Sequence, residues 1–156
     1  MGKINHGRVL LGGIAAGIVI DIVEYVLNAI VLADRWNAIG TAHNLPPFTT
    51  NAIVAFNIIG VVTGIAAVWT YAAIRPRFGE GPGTAFIAAL LIWVVGYLLP
   101  DAGNAILGLF PNSLAVIAVC VGLVEIVVAT LAGAFIYKES AGSAALPQKE
   151  VARAPA

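Results

Sequence analysis

Cysteine, histidine and charge are nearly missing from this chain of 156 residues, which has one Cys, two His and only 10% Asp, Glu, Lys and Arg together. Cys120 alone allows no intrachain disulfide and no Cys-x-x-Cys redox pair. Set among apolar neighbours, it reads as a small core or lipid-facing residue. His6 and His43 fall outside the apolar runs and on opposite sides of them, which argues against axial haem ligation within a helical bundle. The Glu-x-x-His pairs of di-iron bundles are absent. No Ser/His/Asp set shares one depth, and the glycines at 79–83 precede an apolar run instead of following a strand. Nothing therefore signals haem, flavin or nucleotide, and nothing selects an enzyme. With zero net charge the chain carries no basic footprint for nucleic acid.

What is abundant is apolar surface: 60% of residues are hydrophobic, and the mean hydropathy is +0.96. A single small domain cannot hide that much in its core, so the lipid bilayer must cover most of the surface. A transmembrane helix needs about 20 mostly apolar residues. Four segments qualify, at about Val9–Ala33, Ala52–Ile74, Thr84–Leu109 and Leu114–Tyr137. Leu45-Pro46-Pro47-Phe48, Arg75-Pro76-Arg77 with the following glycines, and Phe110-Pro111-Asn112-Ser113 supply the breaks. Residues 140–156 are Ala, Ser, Pro and charge without period, as in a disordered cytoplasmic tail. Span 1 is too long and too acidic for the apolar region of a cleaved signal peptide.

Seven of the eight Lys and Arg fall on one side of this four-span layout, and only Arg35 falls on the other. The positive-inside rule then places both termini and the middle loop in the cytoplasm, with Trp36 and Phe48 as interfacial anchors of the outer loop. Asn28-Ala29-Ile30-Val31 in span 1 recurs as Asn104-Ala105-Ile106-Leu107 in span 3. That repeat would make spans 1–2 and 3–4 two parallel hairpins. A third copy, Asn51-Ala52-Ile53-Val54, shows how readily such a match arises by chance.

Each span has one small or polar face. These faces are Gly13, Gly17, Asp21, Glu24 and Asn28 in span 1, and Asn57, Gly60, Gly64, Ala67 and Tyr71 in span 2. Span 3 has Trp93, Tyr97, Asp101, Asn104 and Gly108 beside a kinking Pro100, and span 4 has Gly122, Glu125, Ala129 and Ala132. In lipid such faces turn toward one another. At 1.5 Å rise per residue, Asp21 and Glu125 each lie about 20 Å from the cytoplasmic ends. Glu24, Asp101 and Asn57 lie at about 24–27 Å, and Asn28 and Asn104 near about 30 Å. The fourteen Val, Leu and Ile of span 1 favour insertion by roughly 4–8 kcal/mol, while its two central acids oppose it by roughly 5–7 kcal/mol. That near balance requires the acids to hold protons, bind a cation or cationic ligand, or face a water-filled cavity. Asp21-x-x-Glu24 offers oxygens only, which suit Mg²⁺, Ca²⁺, Mn²⁺ or Na⁺ better than zinc or copper. Which metal, if any, is left open.

The layout resembles small bacterial four-helix membrane proteins of a domain family of unknown function. The shared features are a first span ending in an aromatic-containing stretch (Glu24-Tyr25-Val26-Leu27-Asn28 through Trp36 to Gly40), a Trp in span 3 (Leu91-Ile92-Trp93), and an ending Gly133-Ala134-Phe135-Ile136-Tyr137. The chain departs from them in lacking a denser aromatic cluster in span 1. The resemblance implies no activity. A glutamate in the first of four helices is also similar to proton-coupled small multidrug transporters, an analogy of layout that assigns no residue a role.

The expectation is an all-α, multi-pass four-helix bundle of the bacterial cytoplasmic (inner) membrane, with its core carboxylates forming a proton- or cation-responsive site for transport, sensing or small-ligand binding. Asp21 and Glu125 would be the midplane titrating pair. Glu24, Asp101, Asn28, Asn57 and Asn104 would form its hydrated outer half. Two alternatives stay open: a neutral carboxyl pair that merely staples helices, and a non-catalytic subunit of a homo-oligomer or larger membrane complex.

Overall fold

In the computed structural model, which describes residues 3–109 and 111–139, the apolar runs become helices and no strand forms among the described residues. Helix α1 (His6–Glu24) continues through a π-helical segment, Tyr25–Val31, and is followed by a short α2 (Ala33–Ala42) and by α3 (Thr50–Phe78). Next come α4 (Pro82–Trp93), a second π-helical segment (Val94–Leu98), α5 (Leu99–Ile106) and α6 (Asn112–Ile136). Four continuous rods are long and apolar enough to cross a membrane: His6–Val31 (26 residues), Thr50–Phe78 (29), Pro82–Ile106 (25) and Asn112–Ile136 (25). The chain is an all-α, multi-pass integral membrane protein. The tail expected at 140–156 and Phe110 of the last turn lie outside the described residues.

Local chemistry explains the ends. The Asn5 side chain accepts from the Arg8 amide at 3.1 Å and caps α1, and Thr49 does the same for α3 through the Ala52 amide at 3.2 Å. Pro82 opens α4, where a missing N–H costs nothing. Arg75-Pro76-Arg77 does not break span 2 as expected. The helix runs through Pro76 to Phe78, because a proline in the last turn forfeits only one backbone bond. The break falls instead at Gly79, whose φ of 85° favours glycine. Between spans 1 and 2, where a plain loop was expected, α2 forms.

The four rods stand in a ring. α1 packs on α3 and α6, α4 packs on α3 and α6, and α3 meets α6 across the middle. Glycine sets the closest approach. A Cβ at Gly64 would lie 2.9 Å from the Cα of Gly17 and collide with the Gly17 amide nitrogen, while Cβ atoms at Gly13 and Gly17 would strike Ile65 and Val61 of α3. These two Gly-x-x-x-Gly faces therefore interlock, as small residues do where helices must touch in lipid. Gly12 meets Gly133 in the same way across α1 and α6.

The core formed by Val9, Ala16, Ala67, Val68, Ala72, Ala85, Ala88, Ala89 and Ala129 lies in the half of the bundle that ends in Arg75 and Lys138. That basic end is also clamped. Tyr71 and Tyr137 stack edge to face at 5.9 Å, and Arg75 lies 5.7 Å over the Tyr137 ring while pairing with Glu80 and, at 3.9 Å, with Glu139. The opposite half buries less, chiefly Leu32, Leu114 and Ala115. The segment Tyr25–Val31 and helices α2 and α5 bury no residue, and α3 buries none before Gly60.

Candidate functional site

Glu125 sits where the tight half gives way to the less buried one, on the α6 face that also buries Gly122, Ile126 and Ala129. It is 2% exposed. The Tyr97 hydroxyl donates to its Oε1 at 2.7 Å. Gly122, one turn before Glu125, makes room for that tyrosine: a Cβ there would collide with the Tyr97 ring, 3.2 Å from its Cγ. One turn before Tyr97, the Trp93 indole donates to the Val119 carbonyl at 2.9 Å. Two aromatic side chains four residues apart thus fasten span 3 to span 4, consistent with their shared helical face. Oε2 of Glu125 is buried without a hydrogen-bond partner.

Against Glu125 lies Glu24, the last residue of α1, within hydrogen-bonding reach. Two ionised carboxylates are acceptors only, so this contact becomes a hydrogen bond only when a proton lies between them. Glu24 has further partners. The Asn28 amide nitrogen donates to its carboxylate and, at 3.2 Å, to its carbonyl, while the Trp36 indole donates to Asn28 Oδ1 at 2.9 Å. The π-helical segment beginning at Tyr25, with the Leu32 amide reaching back five residues to the Leu27 carbonyl at 2.8 Å, is the local geometry in which Asn28 folds onto Glu24. Hydrogen bonds thus run from α2 through Trp36 and Asn28 to Glu24 on one side, and from Tyr97 to Glu125 on the other, and the two carboxylates meet between them.

The neighbour expected for Glu125 was Asp21, and the structure puts Glu24 there. Three residues along a helix turn the side chain by about 300°, so Asp21 points about 60° away from Glu24. It lies over Gly60 of α3, where a Cβ would run into its Oδ1. Asp21 thus belongs to the seam between spans 1 and 2 and is half-buried. Heights measured from the basic residues at each end missed this, because they carry no information on rotation. Asp101, half-buried in the first turn of α5, is near enough to act electrostatically on Glu24. Asn57 does not join the cluster; it is exposed and its amide donates to the Ile53 carbonyl of its own helix at 2.7 Å. Asn104 is half-buried on α5.

Tyr97 and Trp36 are the contributors that sequence reasoning left out of the site. Tyr97 stood on the polar face of span 3 and was legible there; Trp36 was read only as an anchor. Among the described residues both ion pairs use Arg75 at the basic end, so no Lys, Arg or His counters the four carboxylates Asp21, Glu24, Asp101 and Glu125. Nor do three His, Cys, Asp or Glu side chains converge among the described residues in a way that could hold a metal ion. Compared with known proteins, the chain matches no protein-family model, no curated protein and no solved structure.

Proposed function

We propose that the Glu24–Glu125 pair is a proton-binding site and that this protein works as a proton-responsive element of a bacterial cytoplasmic membrane, in transport or sensing. The observation that carries the proposal is Glu125 itself: fully buried, bonded through one oxygen to Tyr97, and facing a second carboxylate with the other oxygen lacking a donor. Burying an ion without a counter-charge costs several kcal/mol, and a second, half-buried carboxylate against it adds to that cost, whereas one proton shared by the pair removes a charge and supplies the missing donor. A proton suits the site better than a divalent cation, which would find too few converging ligands here. Gain or loss of that proton changes the bond that Glu24 makes with Asn28, and through Trp36 it bears on the position of α2. Asp21 and Asp101 add negative potential around the pair.

Infrared difference spectroscopy on the protein in liposomes tests this reading. A protonated-carboxyl band is expected that responds to pH, vanishes in Glu125→Gln and shifts in Tyr97→Phe, with helicity unchanged by circular dichroism. A spectrum that is the same in wild type and Glu125→Gln at every pH removes the proton site and leaves a structural staple.

A further inference from the structure

Away from the carboxylates, helix α2 and the turn between α5 and α6 flank an open hollow of about 610 Å³. Small-ligand sites commonly measure about 300–1,000 Å³, are mostly apolar, and carry a few polar groups that fix orientation. This one has that make-up. Ala38, Ile39, Leu109 and Leu114 form apolar walls, while Arg35 and His43 bring basic side chains from α2. No Asp or Glu lines it among the described residues, although Asp34 is next to Arg35 in sequence. Arg35 is the one described Lys or Arg at this end of the bundle, and neither its side chain nor that of His43 has an ion-pair or hydrogen-bond partner among the described residues.

We propose that this cavity binds an amphiphilic anion: a phosphate or carboxylate held by the Arg35 guanidinium and a His43 ring N–H, with an apolar chain against Ala38, Ile39 and Leu109. Arginine matches a planar or tetrahedral oxyanion through paired donors, and histidine offers a ring N–H in either charge state. The chemistry is shared by an anionic lipid headgroup and by a free alkyl phosphate arriving from solution. The site is separate from the Glu24–Glu125 pair and does not depend on that pair binding a proton.

Native mass spectrometry of the full chain released from neutral phosphatidylcholine nanodiscs tests the proposal, with octyl phosphate as the free probe and phosphatidylglycerol as the lipid probe. One molecule retained per chain is expected, with binding weakened by about tenfold or more in Arg35→Gln, the loss of one charge-assisted contact. Ala38→Phe should abolish binding by filling the hollow. Ala38 is exposed, so this substitution leaves the packed core untouched. Retention of phosphatidylglycerol alone identifies a lipid site, and octyl phosphate bound in competition with that lipid identifies a free ligand. Absence of both adducts, or equal retention by wild type, Arg35→Gln and Ala38→Phe, overturns the proposal.

Discussion

Replacing Tyr97 by Phe removes a single hydroxyl, and its cost depends on what Glu125 is for. In the wild type, that hydroxyl is the only donor among the described residues to a carboxylate that is 2% exposed, at 2.7 Å. Stranding such a buried acceptor costs about 1–3 kcal/mol. Hydrogen bonds measured inside membranes average lower, about 0.6 and at most about 1.7 kcal/mol, so about 1–2 kcal/mol is the working expectation. In a Glu125→Leu background the same substitution should cost nothing, because the acceptor is gone and the hydroxyl itself has become the stranded group. The double variant Glu125→Leu/Tyr97→Phe should then be as stable as wild type or more so, since exchanging a buried polar network for well-packed apolar groups is often neutral or stabilising. Unfolding in mixed micelles, followed by tryptophan fluorescence with Trp93 in the same seam, gives all four corners of this cycle. An equal cost of Tyr97→Phe in both backgrounds would refute the hydrogen-bond argument. A double variant well below wild type would show that the pair is kept for stability, which would undercut its assignment as a functional site.

Three further outcomes follow from the packing. Gly64→Ala should destabilise by about 1–3 kcal/mol, because the added Cβ meets the backbone of Gly13 and Gly17, whereas Gly103→Ala, with nothing within 4 Å, should be neutral or slightly stabilising in the same unfolding assay. Asn28→Ala breaks the link between Glu24 and Trp36 and should raise hydrogen exchange in α2 without changing it in α6; unchanged α2 protection would show that the link does not hold that helix. For the topology, His43→Cys on a Cys120→Ala background should react with an impermeant maleimide added outside intact cells, and Lys138→Cys should not; the reverse pattern would invert the bundle.

Legibility in the sequence followed the kind of force involved. Burial in lipid depends on composition over about 20 residues, so the four spans could be read directly. Close approach depends on a lack of side chain, so Gly13, Gly17, Gly60 and Gly64 announced the interlocked faces of spans 1 and 2. Rotation about a helix axis was harder to read. Asp21 and Glu24 share a polar stripe, yet the glycine seam turns Asp21 onto Gly60 and leaves Glu24 for Glu125. Pro100 hinted at irregularity in span 3, and the π-helical segment Val94–Leu98 lies just before it. No residue in Tyr25–Val31 signals the other one. Asn57 shared the stripe of Gly60 and Gly64 but lies beyond the point where α3 stops packing, so its amide turns back onto its own helix.

The distribution of packing leads to a last prediction. The alanine-rich core, the aromatic clamp and the ion pairs gather at the basic end, while Asp21 lies level with Gly60, the last buried glycine of span 2, and both π-helical segments and α2 lie toward the other end. Local stability tracks buried contacts, so the two halves should open with different free energies although each span is one continuous rod. In detergent, amides of Ala67–Ala72 and Ala85–Ala89 should exchange only through global unfolding and follow its denaturant dependence. Amides of Tyr25–Val31 and Leu99–Ile106 should exchange faster, by local opening with little denaturant dependence. Uniform protection along spans 1 and 3 would mean that the exposed half is held by something other than buried contacts. The carboxylate pair would then sit in a rigid frame, unable to pass a change in protonation on to α2.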